Sequence, residues 1–301
     1  MADAPHEPVM LEEVMSWLAP RPGGTYVDCT GGFGGHTEGM RQRLEGSGRI
    51  ITIDCDPAAY AYCIKRFEAY KNVVRCYNSN FVKVKEVLAA EAIASVDGML
   101  VDCGVSSVQI DEPARGFSFR HAGPLDMRMD PRNSRTAETA LRDLTENELA
   151  DVIYLYGDER KSRRIARAVK EAWRRGEIRD TLQLAETVKR TLPRGYEHGR
   201  IHPATRTFQA LRIWVNDELG KLEKFLGEAV GLLRPGGRLA AISFHSLEDR
   251  MIKHTFRRTE SGSEGAMKVL TRKPIEPTDA EAARNPRSRS AKLRILERRA
   301  V

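Results

Sequence analysis

Short apolar runs alternating with helical stretches set the rhythm of the first hundred residues. Ile50–Ile53 and Val96–Val101 are apolar with little polar alternation, the mark of parallel strands covered on both faces. With Tyr26–Val27 and a run at 73–77 they make four predicted strands, at 25–28, 50–54, 73–77 and 96–101. Helices are predicted between them at 37–45, 57–70 and 81–92, and a leading helix at Glu12–Leu18 stops before Pro20. Such regular β-α alternation predicts a doubly wound parallel sheet. It breaks from 113 to 203, where only helices are predicted, at 137–141, 146–155, 158–175 and 181–191. It resumes with a long helix over 205–233, carried by Phe208, Leu211, Val215, Leu219 and Leu222. A strand at 238–244, a helix at 247–258 and two strands near 267–272 and 290–297, able to pair antiparallel, follow. The expected organisation is one α/β domain from 1–112 and 204–301, with an α-helical insert at 113–203.

The chemistry concentrates where the first two strands end. TYVDCTGGFGGH at 25–36 reads as strand, acid, glycine turn and helix start, and RIITIDCDP at 49–57 adds a second strand ending in Asp54. Ligands of open α/β sheets bind at the carboxyl ends of the strands, and a carboxylate there can grip ribose hydroxyls. The glycines, Gly31, Gly32, Gly34 and Gly35, let the chain turn and a ligand approach. The dinucleotide fingerprint needs a third glycine where this loop has Thr37, and the P-loop ending is absent. Asp28 ahead of the loop repels a pyrophosphate and attracts the sulfonium and ammonium of S-adenosyl-L-methionine (SAM). SAM is therefore the expected cofactor, with an ordinary structural turn as the plainer alternative.

Composition adds a partner. The 301-residue chain is +7 overall. Residues 1–112 are net −6, 113–203 net +5 and 250–301 net +8. An acidic cofactor half beside basic segments suits a polyanionic substrate, nucleic acid above all, although a solvated basic face is the alternative. Arg160, Lys161, Arg163, Arg164 and Arg167 are the candidate RNA contacts. Five cysteines with no CxxC pair suggest a reduced, cytoplasmic setting and no metal site. No apolar run approaches a membrane span and no signal-peptide pattern opens the chain. Oligomeric state stays open, a homodimer being one option.

A second focus is MLVDCGVSSVQ at 99–109, where Asp102 ends a strand that would neighbour the glycine loop. In SFHSLEDR, His245 invites a catalytic role, but Ser246 with Asp249 also resembles a capping box. Phe117 and Phe119 suit either base stacking or packing of the insert.

Together these stretches resemble the bacterial 16S ribosomal RNA (cytosine-N4)-methyltransferases, the RsmH or MraW family. HEPVMLEE at 6–13, GGFGGH at 31–36, IDCDP at 53–57 and LVDCGVSS at 100–107 carry the likeness. It continues in RGFSFR at 115–120, GPLDMRMDP at 123–131, HPATRTFQALRIWVNDEL at 202–219, RPGGRLAAISFHSLEDR at 234–250 and NPRSRSAKLRILER at 285–298. The resemblance implies a class I SAM-dependent methyltransferase fold, Rossmann-like with a late antiparallel strand, and a helical insert between the fourth and fifth strands. It implies methylation of N4 of a decoding-region cytosine in small-subunit rRNA. Carried over, Gly34, Gly35 and His36 match the SAM loop, Asp54 the ribose acid and Phe81 the residue flanking adenine. Asp102 and Gln109 match the remaining cofactor contacts. Gly32 departs from the bulkier residue that relatives often have there.

Cytosine N4 is a poor nucleophile, so positioning must supply much of the catalysis. Asp102 is the candidate catalytic acceptor for an N4 hydrogen, or else it holds the SAM ammonium. Asp102 is followed by Cys-Gly-Val and not by the Pro-Pro-aromatic platform of many amino-methyltransferases. A stacking partner must then come from Phe119, Phe244 or Trp214, with the base unstacked to reach it. The rival functions are an NAD-dependent oxidoreductase and a non-catalytic RNA-binding protein.

Overall fold

The computed structural model describes residues 7–193, 195–196 and 202–300; His6 of the HEPVMLEE stretch lies outside them. The chain forms two compact units, one from residues up to Gly104 and from Leu219 on, the other Val105–Glu218.

The first unit opens with α1 (Leu11–Leu18), β1 (Thr25–Asp28), α2 (Gly35–Arg43), β2 (Arg49–Asp54) and α3 (Pro57–Arg66). It continues through β3 (Val74–Asn78), α4 (Val84–Ala90) and β4 (Val96–Asp102). The second unit holds the short α5 (Ser107–Asp111), α6 (Ala137–Asp143), α7 (Glu146–Gly157), α8 (Ser162–Arg174), α9 (Thr181–Thr191) and α10 (Thr205–Asn216). The first unit then resumes with α11 (Glu218–Ala229), β5 (Leu233–Ser243), α12 (Ser246–Gly262), β6 (Met267–Val269), α13 (Asp279–Arg284) and β7 (Lys292–Arg298).

The seven strands form one sheet in the order β3-β2-β1-β4-β5-β7-β6. β1 to β5 are parallel, and β7 runs antiparallel to both β5 and β6. Two-sided burial explains the continuous apolar runs. Val27, Ile51, Ile53, Met99, Val101, Leu239 and Ala241 point to one face, under α4, α11 and α12. Tyr26, Ile50, Leu100, Ala240 and Ile242 point to the other, under α1, α2 and α3. The strand order reverses between β1, which pairs with β2 on one side, and β4 on the other. That reversal is the switch point at which such sheets take ligands.

In the second unit the predicted helices pack around Leu141, Ile153, Ile165, Val169, Leu184 and Val188. Lys170 is buried beneath them, its Nζ donating to the carbonyls of Leu141 (2.6 Å) and Leu144 (2.5 Å) at the end of α6.

The boundaries differ from the expected 112/113 and 203/204. The helix expected over 205–233 is broken at Asp217, whose φ is +50°. Phe208, Leu211 and Val215 of α10 join the insert's core, while Leu222, Phe225 and Leu226 of α11 join the sheet's. β5 starts at Leu233, earlier than expected, because Leu233 pairs with Val96 before a register shift lets Arg238 pair with Gly98.

Candidate functional site

Three carboxylates mark the carboxyl ends of three adjacent strands: Asp28 on β1, Asp54 on β2 and Asp102 on β4. Thr30 ties two of them together. Its N–H donates to Asp28 Oδ1 (3.3 Å), and its hydroxyl accepts from the Asp102 N–H (2.7 Å). Asp28 is buried and also accepts from the Thr37 hydroxyl at 2.8 Å. The residue standing where a dinucleotide loop has its third glycine thus donates a hydrogen bond to the strand-end acid. Burial pushes the Asp28 carboxyl upward, opposed by His36 and the Thr37 hydroxyl. Asp54 and Asp102 are each pushed up to about 6, first by burial and then by neighbouring acids, Asp28 among them in both cases. Gathered carboxylates of this kind favour a cation.

The glycine loop lies against these acids. Gly32 N–H donates to Asp54 Oδ2 at 2.7 Å, Gly31 N–H to the Ile53 carbonyl at 2.8 Å and Gly34 N–H to the Gly31 carbonyl at 2.8 Å. Asp54 Oδ1 accepts from the Asp56 N–H at 2.8 Å. A phosphate cradle needs amides of this kind aimed at the ligand; here protein acceptors take all three. The glycines serve the protein more than the sequence suggested. A Cβ on Gly31 would sit 2.0 Å from the Thr52 hydroxyl oxygen, and one on Gly34, at φ +79°, 2.6 Å from the Phe67 ring. A Cβ on Gly35 would lie 2.8 Å from Pro8. Only around Gly32, at φ +50°, is the space open, its nearest neighbour for a Cβ being the Thr30 carbonyl at 3.9 Å.

The other expected residues have well-defined places. His36 is buried, with Nε2 against the Val9 carbonyl at 2.9 Å, so its ring pins the segment before α1. Phe81 stacks edge-on against Phe225 (centroids 5.4 Å apart) and stays half-buried after β3. Gln109 lies in the second unit, where it closes a capping box with Ser106 at the start of α5. Phe119 packs with His202 and Phe208 inside the insert, with ring centroids 4.6 and 4.7 Å away. The Arg135 guanidinium sits 5.1 Å from the Trp214 ring centroid.

Phe244 belongs to the strand-end cluster. Its ring would lie 2.8 Å from a Cβ on Gly104, and Asp102 Oδ1 would lie 3.2 Å from that same Cβ. Thr30 is not legible as part of the site, because a lone threonine beside a strand end carries no pattern, and Thr37 is legible only as the residue in place of a third glycine.

The capping box expected at Ser246 and Asp249 is shifted by one residue. His245 is the N-cap, its Nδ1 accepting from the Glu248 N–H at 3.4 Å, and Glu248 reaches back to the Phe244 N–H at 2.8 Å. Asp249 is instead paired with the buried Arg294 at 2.6 Å.

On the insert, Arg160 and Lys161 occupy the turn before α8, and Arg163, Arg164 and Arg167 its exposed face. Arg163 and Arg167 meet Asp151 and Glu146 only at 3.4 Å, exposed pairs worth little.

A doubly wound sheet with a reversed strand near its end, a glycine turn after β1 and acids closing β1, β2 and β4 define a class I, Rossmann-like SAM-dependent methyltransferase. The profile of the MraW methylase family matches residues 3–299, and the chain belongs to that family. It is an enzyme, and its methyl donor is SAM. The ribosomal RNA small subunit methyltransferase H of Anaeromyxobacter sp. (strain K) is 48% identical, over 99% of each chain. That of Geobacter sulfurreducens is 47% identical over 97% of this chain and 98% of its own. That of Trichormus variabilis is 49% identical over 98% and 92%. Among the described residues no helix is long and apolar enough to cross a membrane.

Proposed function

We propose that the chain transfers a methyl group from SAM to the exocyclic N4 of a cytosine in the decoding region of small-subunit (16S) rRNA. The relatives named as small-subunit rRNA methyltransferases share nearly half of its residues over the full length. The observation that carries the cofactor reading is where the loop's amides go: they are spent on Asp54, Ile53 and Gly31, beside three gathered carboxylates. That is a site for a cation flanked by a ribose and not for a pyrophosphate.

Gly34, Gly35 and His36 would set the loop's shape around SAM. Each Asp54 oxygen keeps a lone pair beyond the amide it accepts, enough for two ribose hydroxyls. Phe81 would lie along the adenine, and Gln109 is assigned a cofactor contact on the family resemblance. When bound, SAM supplies an electrophilic methyl on cationic sulfur. Asp102 uses Oδ1 for the Gly104 N–H at 3.1 Å, and its other oxygen is available to an N4 hydrogen. Accepting that hydrogen bond draws electron density onto the nitrogen, and the same oxygen can take the proton that the methylated nitrogen must lose. Phe244, beside Gly104, would support the base. The basic α8 of the insert would grip RNA phosphates. Such an enzyme works where ribosomes are assembled, in the cytoplasm.

The test is labelled-methyl transfer to small-subunit rRNA lacking the modification, offered both naked and in assembled subunits. Incorporation into one of these is expected. A folded, SAM-binding sample that labels neither would overturn the proposal.

A further inference from the structure

We propose that α12 carries a second RNA track on the sheet unit, separate from the basic face of the insert, which holds a single-stranded stretch flanking the target base; this rests on the rRNA reading above.

α12 is amphipathic in an unusual way. Ile252 and Phe256 are buried toward the sheet. Arg250, His254 and Arg258 recur every fourth residue and are exposed, so they form one line with roughly 6 Å between successive groups. They do not stand on a convex surface. They line a groove of about 510 Å³, together with Leu219 and Glu223 of α11 and with Leu247, Met251 and Thr255 of α12. Leu219, Leu247 and Met251 supply its apolar surface.

Charge separates this groove from an ordinary solvated face. Elsewhere in the unit the arginines are largely spoken for: Arg41 pairs with Glu38, Arg238 with Glu297, Arg272 with Glu260 and Arg294 with Asp249. Among the described residues neither Arg250 nor Arg258 has an ion pair or hydrogen bond from its side chain. Glu223 is the one acidic residue of the lining, against two arginines and a histidine. Cations along an apolar-floored groove are what single-stranded nucleic acid requires: phosphates on the charges, and sugars or base faces on the floor.

The groove also starts in the right place. Leu247 is in the first turn of α12, three residues beyond Phe244, whose ring packs beside Gly104 and the Asp102 carboxylate. A strand leaving the strand-end site along α12 meets Arg250, then His254, then Arg258.

The experiment uses the full chain with two double variants. R250Q/R258Q removes two groove cations, and K253Q/R257Q removes two from the same helix outside the groove lining. Binding of a small-subunit rRNA fragment is followed from low to moderate salt, alongside steady-state methyl transfer, melting temperature and SAM calorimetry. Each lost phosphate contact on a single strand flattens the log–log salt slope by roughly 0.7. R250Q/R258Q should therefore flatten it by about 1.4 and raise KM for RNA about tenfold or more, with kcat, melting and SAM affinity kept. K253Q/R257Q should produce less than half of either change. An unchanged slope and KM in R250Q/R258Q, or equal effects from both pairs, would overturn the track. A wild-type chain that neither binds nor methylates RNA would instead overturn the rRNA reading itself.

Discussion

Replacing Asp102 by Asn separates the electrostatic cost of the site from its architecture. Asn retains an oxygen for the Gly104 N–H, and the Thr30 hydroxyl bonds the backbone of residue 102, which the change leaves intact. What disappears is a carboxyl pushed from 3.8 up to about 6, first by burial and then by Asp28 and Glu248, against the opposing pull of His36. The folded state therefore holds this proton more tightly than the unfolded chain. Its contribution to stability is complete below pH 3.8 and is lost as pH rises through about 6. At about 1.36 kcal/mol per pH unit, the ionised group costs the cofactor-free fold at most about 3 kcal/mol above that range. For a unit of this size that corresponds to roughly 6–12 °C in melting temperature. Thermal unfolding without cofactor should show the variant and wild type converging toward pH 4 and the variant melting higher at pH 8. Its methyl transfer should fall roughly 10²–10³-fold, the scale of losing one preorganised polar contact to the reacting group. A variant that melts at or below wild type at pH 8, or an offset that does not change between pH 4 and 8, would refute the reasoning.

Other consequences follow from single contacts. Gly34→Ala forces a Cβ at φ +79° to within 2.6 Å of Phe67; it should destabilise by about 1–3 kcal/mol and weaken SAM binding in calorimetry. Gly32→Ala meets open space but keeps a left-handed φ of +50°, so it should cost about 1–2 kcal/mol from the backbone alone, less than Gly34→Ala, which adds the clash; equal melting losses in the two variants would contradict the loop description. Lys170→Met strips the donor from the Leu141 and Leu144 carbonyls; chemical denaturation should register a loss of about 1–3 kcal/mol, with SAM affinity unchanged. Neutralising Arg160, Arg163 and Arg164 together should flatten the salt dependence of RNA binding by about 2 in log–log slope, and an unchanged slope would return α8 to the role of a solvated face.

The sheet is legible because burial on both faces writes continuous apolar runs, and all three acids, Asp28, Asp54 and Asp102, announce themselves at strand ends. The reversed β7 was visible as a late strand able to pair antiparallel. The break at Asp217 was not. Hydrophobic spacing runs on through Val215, Leu219 and Leu222, and nothing but a left-handed aspartate divides α10 from α11. The cap of α12 was misplaced by one residue because Ser246 has the usual capping chemistry, whereas the structure uses an imidazole nitrogen of His245. The glycine loop reads in the sequence as making room for a ligand; most of that room is filled by Thr52, Phe67 and Pro8, residues far enough along the chain that spacing does not connect them. The basic cluster before and along α8 is visible in the sequence, but composition alone does not tell which charges find partners.

The most direct measurement is nucleoside mass spectrometry of small-subunit rRNA after incubation with the purified chain and isotopically labelled SAM. The label should appear as N4-methylcytidine at a single decoding-region position. Label confined to another base, to a ring carbon or to a ribose oxygen would contradict the account.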